Sequence, residues 1–498
     1  MTTQETRKRS TAVVRPDEER PLGDIGARVR AGVSTWMRSP ALDFYALIAI
    51  GTILVCLGLV MVLSSSAVIN IAKGESGYAG LFRQGRFALI GLVGLLVAAA
   101  LPPGWYRRLA WPALMLGVLL QLLVFSPLGW EVYGNRNWIV VGGQTLQPSE
   151  MLKLALAVWL GALLAMKRPL LSRPFHLLFP LAPVVMLSLG LVVLGHDLGT
   201  MLVMAMLVAG AMWVAGVPRR WFALAAGAGV IGVIALTVTS ANRMRRISSW
   251  LHGTCEGATC DQSNIGLQAL AEGGWWGKGL GQSAQKWGRL PAAQDDFIFA
   301  IIGEELGLIG TLSVVAVFAL LALVLFRMIT RIDDPFIQIT IGGISAWILG
   351  QALVNMMVVT GLLPVLGVPL PFISSGGSAL VASMTALGLL LSFARHEPGA
   401  KEAISARIGT VRTSLTVMPA SRAERSAAPG RPSALSRLLA RLPGRSRPGR
   451  KSPAVPAAGR TPAGRSATRS TKSTSRSAGS AAAPRSSRRT SRRSGGRR

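Results

Sequence analysis

Residues 42–66 read LDFYALIAIGTILVCLGLVMVLSSS, an apolar run that contains one charged residue, Asp43. A helix of about 20 apolar residues crosses the hydrocarbon core of a bilayer, so this run is long enough to span a membrane. Half of the 498 residues are apolar and the mean hydropathy is +0.45, a balance that excludes an ordinary soluble globular protein. The run therefore predicts a membrane-spanning segment.

The same pattern recurs along the chain. Backbone groups in lipid must be hydrogen-bonded within their own segment, so each apolar run is predicted to be a helix. The predicted fold class is an all-α polytopic membrane protein with about ten transmembrane helices. A long extracytoplasmic loop, 241–296, is predicted between spans 7 and 8. The predicted spans are 42–66, 86–103, 108–128, 149–166, 176–194, 199–217, 221–240, 297–327, 336–361 and 374–395.

Lysines and arginines in the short connections predict the orientation of the spans. Alternate connections carry basic residues, and both chain ends fall on the side of those connections, so both termini are predicted to be cytoplasmic. The first forty residues contain no apolar region typical of a cleavable signal peptide, so the first span is predicted to be the insertion signal. The basic residues are Arg107, Arg108, Lys167, Arg168, Arg173, Arg219, Arg220, Arg327 and Arg331.

The formal net charge of +31 is concentrated in the last fifth of the chain. Residues 401–498 hold 24 Lys/Arg and 2 Asp/Glu, which is +22 of that charge. Their Ser-, Arg-, Ala-, Pro- and Gly-rich composition cannot bury a core. We therefore predict a cytoplasmic N-terminal segment at 1–40, a membrane domain at 41–396 and a disordered basic cytoplasmic tail at 397–498. Cytoplasmic division proteins and anionic lipid are candidate partners of the tail, and nucleic acid is not expected.

The three cysteines divide between a span and the long loop. Cys56 lies in the first span and is predicted to be a packing residue. Cys255 and Cys260 lie close together in the loop, and with His252 they suggest a zinc site that lacks a fourth ligand. If the loop is extracytoplasmic, a disulfide between the two cysteines is the favoured interpretation.

Four polar, Gly-rich or Pro-rich segments lie at the predicted outer face. They are 134–153, 195–200, the end of the long loop through 307, and 363–378. Unrelated spans would scatter such features over both faces, so their convergence predicts one site built from several spans. Ionisable residues at span edges are costly and commonly functional. Glu150 and Lys153 share a helical face, where a purely structural ion pair is the alternative.

Other ionisable residues of these segments divide into structural and chemical candidates. Asp197 begins span 6, where helix capping is a sufficient reason for it. Glu304 and Glu305 lie about two turns into span 8 and are predicted to make structural hydrogen bonds. Asp295 and Asp296 begin that span, and a carboxylate at a partly desolvated rim can have a raised pKa suited to a general base. The cations predicted to bind an anionic headgroup such as a diphosphate are Arg136, Lys153, Arg243, Arg246, Lys286 and Arg289.

These motifs resemble the SEDS family of cell shape, elongation, division and sporulation proteins, which includes FtsW, RodA and SpoVE. The resemblance implies a ten-span peptidoglycan glycosyltransferase that polymerises lipid II into β-1,4 glycan strands at the outer face of the cytoplasmic membrane. It also implies a class B penicillin-binding protein as the transpeptidase partner, and it places the family's essential aspartate at Asp296. The matching strings are NWI 137–139, QPSE 147–150 with Lys153, DLGT 197–200, DFIF 296–299, GEELG 303–307, LP 363–364, PLPFIS 369–374 and GGS 376–378.

Within the family, the division branch, FtsW, fits better than the elongation branch, RodA. This preference rests on three features: the region of Lys286, the run AIIGEE at 300–305 and the extended cytoplasmic ends. Septal cell-wall synthesis during cell division is therefore expected, with an elongation-type role as the alternative. A lipid II flippase and a non-catalytic divisome scaffold that activates a transpeptidase are the competing functions. No convincing inverted repeat favours the flippase.

Three positions depart from the family pattern. His196 stands where Pro is usual, Ala292 where Glu is usual and Ser375 where Tyr is frequent. Asp295 is the candidate replacement for the carboxylate missing at 292. A divalent cation, Mg²⁺ or Mn²⁺, is a candidate cofactor, although the sequence contains no dedicated metal cage.

Asp296 is the predicted general base of an inverting transfer to the 4-hydroxyl of an acceptor sugar, with undecaprenyl diphosphate leaving. The predicted structural residues are Glu304, Glu305, Pro364 and Pro371. The predicted substrate-binding residues are Arg136, Trp138, Gln147, Ser149, Glu150, Lys153, Asp197, Arg243, Arg246, Gln262, Lys286, Ser374, Gly376 and Gly377.

Overall fold

The computed structural model describes residues 41–132, 135–238, 244, 247–248, 250, 258–285, 290 and 293–406. Nine helices in this described part are long and apolar enough to cross a membrane. One more helix, Arg219–Val238, coincides with the seventh predicted span. The polytopic helical fold is therefore confirmed. The predicted N-terminal segment and the tail beyond residue 406 lie outside the described residues.

Four of the spans begin on a proline, whose fixed φ and missing N–H suit the first position of a helix. The spans are α1 (Leu42–Ala72), α2 (Ala79–Ala100), α3 (Pro103–Leu122), α4 (Pro148–Lys167), α5 (Pro174–Leu194), α6 (Leu198–Ala215), α7 (Arg219–Val238), α9 (Ile298–Arg331), α10 (Pro335–Val359) and α11 (Gly377–Ala394), and α8 (Ala258–Gly273) lies in the long loop between α7 and α9.

The second span begins earlier than the hydropathy pattern predicts. Helix α2 starts at Ala79 rather than 86. The hydropathy pattern misses its first turns because they include the polar residues Arg83, Gln84 and Arg86. Gln84 is buried and its amide nitrogen donates to the carbonyl of Ser374, 3.1 Å away. A polar residue can thus belong to a span when it bonds to a neighbouring segment rather than facing lipid.

A small antiparallel sheet between α3 and α4 was not expected from the sequence. It comprises β1 (Gly129–Val132), β2 (Asn135–Val141) and β3 (Gln144–Leu146), in the order β1-β2-β3. Residues Gly142 and Gly143 both have positive φ and form the two-residue turn between β2 and β3. Strands β2 and β3 lie within 134–153, one of the four predicted polar segments, and β1 precedes it.

Three helices occupy the centre of the bundle. In the most apolar 18-residue stretch of α4, α10 and α11, 72%, 72% and 83% of the residues are buried, whereas in α2 the share is 17%. Helix α10 packs against α4 and α6, and α11 packs along α2. A Cβ on Gly342 of α10 would lie 3.2 Å from the carbonyl of Gly210 on α6, so small residues allow close backbone approach there.

Ion pairs collect at the end of the bundle that is predicted to be cytoplasmic. Arg327 near the end of α9 contacts the buried Asp43 of α1 at 3.0 Å. Arg331 contacts Glu397, just beyond α11, at 3.2 Å. These contacts hold the first, eighth and tenth spans together at one end, while the polar segments of the candidate site meet at the other.

Candidate active site

The turn that precedes α9 presents two adjacent carboxylates. The apolar residues Phe297 and Ile298 are fully buried and anchor the start of the helix. Asp295 is exposed and Asp296 is partly exposed, although the Asp296 Oδ1 atom is buried. Gly367 lies beside Asp296, because a Cβ added to this glycine would be 4.0 Å from the Asp296 Oδ2 atom. The 363–376 segment therefore forms a wall of the space around the predicted base.

Ser375 joins that segment to the carboxylate turn. Its backbone N–H donates to the carbonyl of Gln294 at 3.0 Å, and its hydroxyl donates to the Asp295 carboxylate. Loss of hydration raises the pKa of Asp295 above its ordinary value, although the Ser375 hydrogen bond and the charge of Arg83 act in the opposite direction. Asp295 is thus poised as a second carboxylate next to Asp296.

Two buried side-chain amides of α10 donate hydrogen bonds to the same region. Asn355 donates to the carbonyls of Asp296 and Val368, at 2.7 Å in each case. Gln351, one turn earlier, donates to the carbonyl of Pro369 at 2.8 Å. The two residues are 1% and 2% exposed, so they contact the protein backbone rather than solvent.

The predicted Glu150–Lys153 pair is present and fully buried. The Lys153 Nζ atom lies 2.8 Å from the Glu150 carboxylate and 2.9 Å from the Gln351 amide oxygen. The ammonium group also lies over the Trp347 ring, 5.1 Å from its centroid. Lys153 is 1% exposed, and its charge is therefore engaged by protein groups.

The start of α4, the start of α6 and the start of α11 meet around Gln147. Its side-chain amide donates to Asp197 at 3.3 Å, and its backbone N–H bonds to the Ser378 hydroxyl at 3.2 Å. Asp197 caps α6 by accepting from the Thr200 N–H at 2.8 Å. Burial raises the pKa of Asp197, whereas the hydrogen bonds from Thr200 lower it.

The small sheet attaches to this junction through its middle strand. The backbone N–H of Arg136 donates to the carbonyl of Gly195 at 3.0 Å, and the Arg136 guanidinium donates to the carbonyl of Ser126 at 2.9 Å. Trp138 is half-buried and lies opposite Trp130 on β1. The contacts described so far join all four polar segments, which the sequence predicted to converge.

Further predicted residues lie at buried or framework positions. Ser149 and Gln262 are buried, on α4 and α8 respectively. The buried Ser374 hydroxyl accepts from the Leu370 N–H at 2.8 Å, within the 363–376 segment. Pro364 and Pro371 lie in the same segment, and Gly376 and Gly377 lie where it enters α11.

The two glutamates of α9 bind parts of the chain around the helix. Glu304 accepts from the Ala284 N–H at 2.8 Å and from Lys278 at 3.1 Å. The Ser64 hydroxyl of α1 lies 2.6 and 2.7 Å from the two Glu305 oxygens. Both carboxylates are fully buried, which fits the structural role proposed from the sequence.

An apolar cavity of about 300 Å³ opens between α2, α3, α4 and α11. Gln147 and Ser378 also line it, but almost none of the surface that they present to the cavity is polar, because their polar groups bond to each other and to Asp197. The remaining lining residues are Phe87, Ile90, Leu120, Ile139, Leu146, Pro148, Met151 and Val381. A cavity of this kind suits a hydrocarbon chain.

Some predicted residues cannot be placed. Arg243, Arg246, Lys286, Arg289 and Cys255 lie outside the described residues, as does the side chain of Cys260. Within the described residues, no group of three or more His, Cys, Asp or Glu side chains is close enough to hold a metal ion.

Sequence reasoning missed four residues of this site: Arg83, Gln84, Gln351 and Asn355. Gln351 and Asn355 are polar side chains within an apolar run, which is itself a signal of function or of an internal hydrogen bond. Arg83 and Gln84 instead lie just before the second predicted span. Gln351 and Asn355 are four residues apart in the ninth predicted span, and that spacing places both on one helical face. The sequence thus signals a role for these two amides, but it does not show which groups they bind.

Sequence and structure comparisons identify close relatives. A probable peptidoglycan glycosyltransferase FtsW of Mycobacterium tuberculosis is 37% identical over 398 residues, which cover 78% of this chain and 75% of the relative. A probable peptidoglycan glycosyltransferase FtsW of Trichlorobacter lovleyi is 38% identical over 348 residues, which cover 67% of this chain and 88% of the relative.

Solved structures with the same fold include RodA of Thermus thermophilus, with a TM-score of 0.53 and 26% identity. A second solved chain has a TM-score of 0.60 and 26% identity. It comes from a structure described as the structural coordination of polymerization and crosslinking by a peptidoglycan synthase complex. In both cases the match covers 71% of this chain and 97% of the solved one. The sequence profile of the FtsW/RodA/SpoVE cell cycle proteins matches residues 45–398. The chain therefore belongs to the FtsW/RodA/SpoVE family and is a multi-pass membrane protein.

Proposed function

We propose that this protein is a peptidoglycan glycosyltransferase that polymerises lipid II into β-1,4 glycan strands at the outer face of the cytoplasmic membrane. The observation that carries the proposal is the position of the partly exposed Asp296, at the point where the α9 turn, α10 and the 363–376 segment meet. The names of the relatives agree with this activity. Their FtsW assignment favours septal synthesis during cell division over an elongation-type role.

The apolar cavity supports a lipid-linked substrate. Its hydrocarbon-like lining suits part of a polyprenyl chain, and its lining residue Ser378 lies three residues along the chain from Ser375, whose hydroxyl donates to Asp295. A lipid anchored there would leave its diphosphate and sugars near Asp295 and Asp296. Arg83 is exposed and acts electrostatically on Asp295, so it is a suitable counterion for a substrate diphosphate.

In the proposed reaction, Asp296 accepts the proton of the acceptor 4-hydroxyl. The acceptor oxygen forms a bond to the anomeric carbon of the donor, and the bond from that carbon to undecaprenyl diphosphate breaks. The product linkage is β whereas the donor linkage is α, so one inverting displacement is sufficient. Nearby cations offset charge that develops on the leaving diphosphate. Arg136, Arg243 and Arg246 stay predictions for that role.

Lys153 serves this scheme indirectly. Its ammonium is buried and engaged by Glu150 and Gln351, so we assign it to the framework of the site rather than to a direct contact with the diphosphate. Any Mg²⁺ or Mn²⁺ bound near Asp295 and Asp296 would assist charge neutralisation, since carboxylate oxygens are suitable ligands for these ions.

A class B penicillin-binding protein is the proposed partner. The solved relative from the peptidoglycan synthase work supports coupling of polymerisation to crosslinking in this fold. The basic connections support a proposal that both termini are cytoplasmic, and we propose cytoplasmic division proteins as partners of the tail.

The test is polymerisation of purified lipid II by the full-length protein in complex with its cognate transpeptidase. The parent complex is expected to produce glycan strands, and Asp296→Ala is expected to produce none. Equal polymer from both would move the catalytic role to another residue. If neither assembled complex made polymer, a lipid II flipping assay in proteoliposomes would separate a flippase from a scaffold.

A further inference from the structure

Two amides on α10 connect elements of the site that are distant in sequence. Asn355 bonds to the carbonyl of Asp296 on the α9 turn and to that of Val368 in the 363–376 segment. Gln351 bonds to Pro369 in the same segment and to Lys153 on α4. Because 351 and 355 are one helical turn apart, both amides project from one face of a single rigid element.

The hydrogen-bonding partners define the orientation of the Asn355 amide. Both neighbours, at 2.7 Å, are carbonyl oxygens, which only accept. The NH₂ group is the part of the side chain that donates, and its two hydrogens match these two acceptors. Asparagine can therefore join two backbone segments at this point. An apolar residue of the same shape would leave both carbonyls without this donor.

The amide determines where the Asp296 carboxylate stands relative to the opposite wall. Val368 follows Gly367, where an added Cβ would lie 4.0 Å from the Asp296 Oδ2 atom. Holding the carbonyls of Asp296 and Val368 on one nitrogen sets the gap between the carboxylate and the 363–376 segment. Asn355 itself is 1% exposed and has no surface with which to contact a substrate.

We propose that Asn355, supported by Gln351, is a positioning residue that holds Asp296 in register with the 363–376 segment for glycosyl transfer. This inference rests on the proposed function, because it assigns Asn355 to the same reaction. A displacement of a catalytic group by about 1 Å can cost 10²-fold in rate. Loss of the amide is therefore expected to lower turnover while leaving lipid II affinity almost unchanged.

The test compares Asn355→Leu with Gln338→Leu in the full-length protein bound to its transpeptidase. Gln338 is the matched control, since it lies on the same helix and its amide donates to the carbonyl of Ile329 at 3.1 Å, far along the helix from the site. Steady-state polymerisation of purified lipid II gives kcat and KM for each variant, and elution as a monodisperse complex checks folding.

For Asn355→Leu, kcat is expected to fall by about 10- to 100-fold with KM within about threefold of the parent. Gln338→Leu is expected to keep both values within about twofold. Asn355→Ser provides a second variant if the leucine variant does not fold. Its short hydroxyl cannot reach both carbonyls, so the same loss of kcat is expected.

Three results would overturn the inference. They are an unchanged kcat in a folded Asn355 variant, a loss that appears only in KM, or an equal loss in Gln338→Leu. An inactive parent complex is a different result, because it would contradict the proposed function itself. The two failures are thus distinguished by the parent measurement.

Discussion

At the scale of single residues, the site is organised around Asp295 and Asp296. The chain lacks the glutamate that the resemblance leads one to expect at 292, and it has Ser375 where a tyrosine is frequent. In the structure the Ser375 hydroxyl donates to Asp295, three positions after 292. This pairing is consistent with Asp295 serving as the second acid of the site.

Removal of the Ser375 hydroxyl is predicted to change the pH dependence of polymerisation. The hydrogen bond stabilises the charged form of Asp295, so its loss in Ser375→Ala raises the pKa of this carboxyl. The ionised form is then lost at a higher pH as the solution is acidified. The acid limb of the kcat profile is expected to move to higher pH in Ser375→Ala than in the parent.

Asp295→Asn provides the control for this prediction. If Ser375 acts through Asp295, adding Ser375→Ala to Asp295→Asn leaves the acid limb where Asp295→Asn alone puts it. An acid limb that is unchanged in Ser375→Ala, or that moves to lower pH, contradicts the assignment of Asp295.

At the scale of elements, the candidate catalytic turn leads into α9, a helix that is interrupted at Gly307. This glycine has φ 69° and ψ −165° within the helix. The loop after α8 packs against the interruption, and Lys278 and Gly279 donate from their backbone to the carbonyls of Glu304 and Glu305. The interruption therefore attaches the long loop to the helix that begins at the site.

Gly307→Ala is predicted to destabilise the protein by about 3 kcal/mol, because positive φ strains alanine and overpacking adds to the cost. A Cβ at 307 would lie 2.4 Å from the backbone nitrogen of Gly277 and 2.6 Å from the carbonyl of Trp275. The measurement is unfolding of the detergent-solubilised protein with increasing denaturant.

Gly190→Ala in α5 is the control, since a Cβ there would meet no atom within 4 Å. Alanine in a helix interior is favoured over glycine by about 1 kcal/mol, so this variant is expected to be slightly more stable than the parent. Equal stability of the two variants would remove the proposed role of Gly307.

The elements were predictable to different degrees from the sequence. Long apolar runs gave the spans, because lipid permits few alternatives to a helix. The early start of α2 was not predicted, because Arg83 and Gln84 lower the local hydropathy while Gln84 bonds to the neighbouring 363–376 segment. The sheet was also missed, although the Gly142–Gly143 pair between two β-forming runs is a hairpin signal.

At the scale of the whole molecule, the convergence of four polar segments followed from the alternation of spans. The side-chain contacts within the site could not be predicted from the alternation of spans. They join residues far apart in sequence, such as Lys153 with Gln351 and Asn355 with Asp296. Neutral amides in a span give no charge signal, and their partners are carbonyls that any residue supplies. Such contacts become visible only when the helices are packed.

The orientation of the whole bundle is a separate prediction. Thr145 in β3 and Ser172 after α4 are both exposed, and the basic connections predict that they lie on opposite sides of the membrane. In a background with Cys56, Cys255 and Cys260 changed to Ser, Thr145→Cys is expected to react with a membrane-impermeant maleimide in intact spheroplasts. Ser172→Cys is expected to react only after permeabilisation, and the reverse pattern would contradict the orientation.

The central claim is that the Asp296 carboxylate removes a proton during glycosyl transfer. Its most direct test is lipid II polymerisation by the transpeptidase complex carrying Asp296→Asn, which keeps the shape of the side chain but not its basicity. We predict that lipid II binding is retained while the polymerisation rate falls by a factor on the order of 10²–10⁴, the contribution typical of a general base. Polymerisation within a few-fold of the parent rate would contradict the claim.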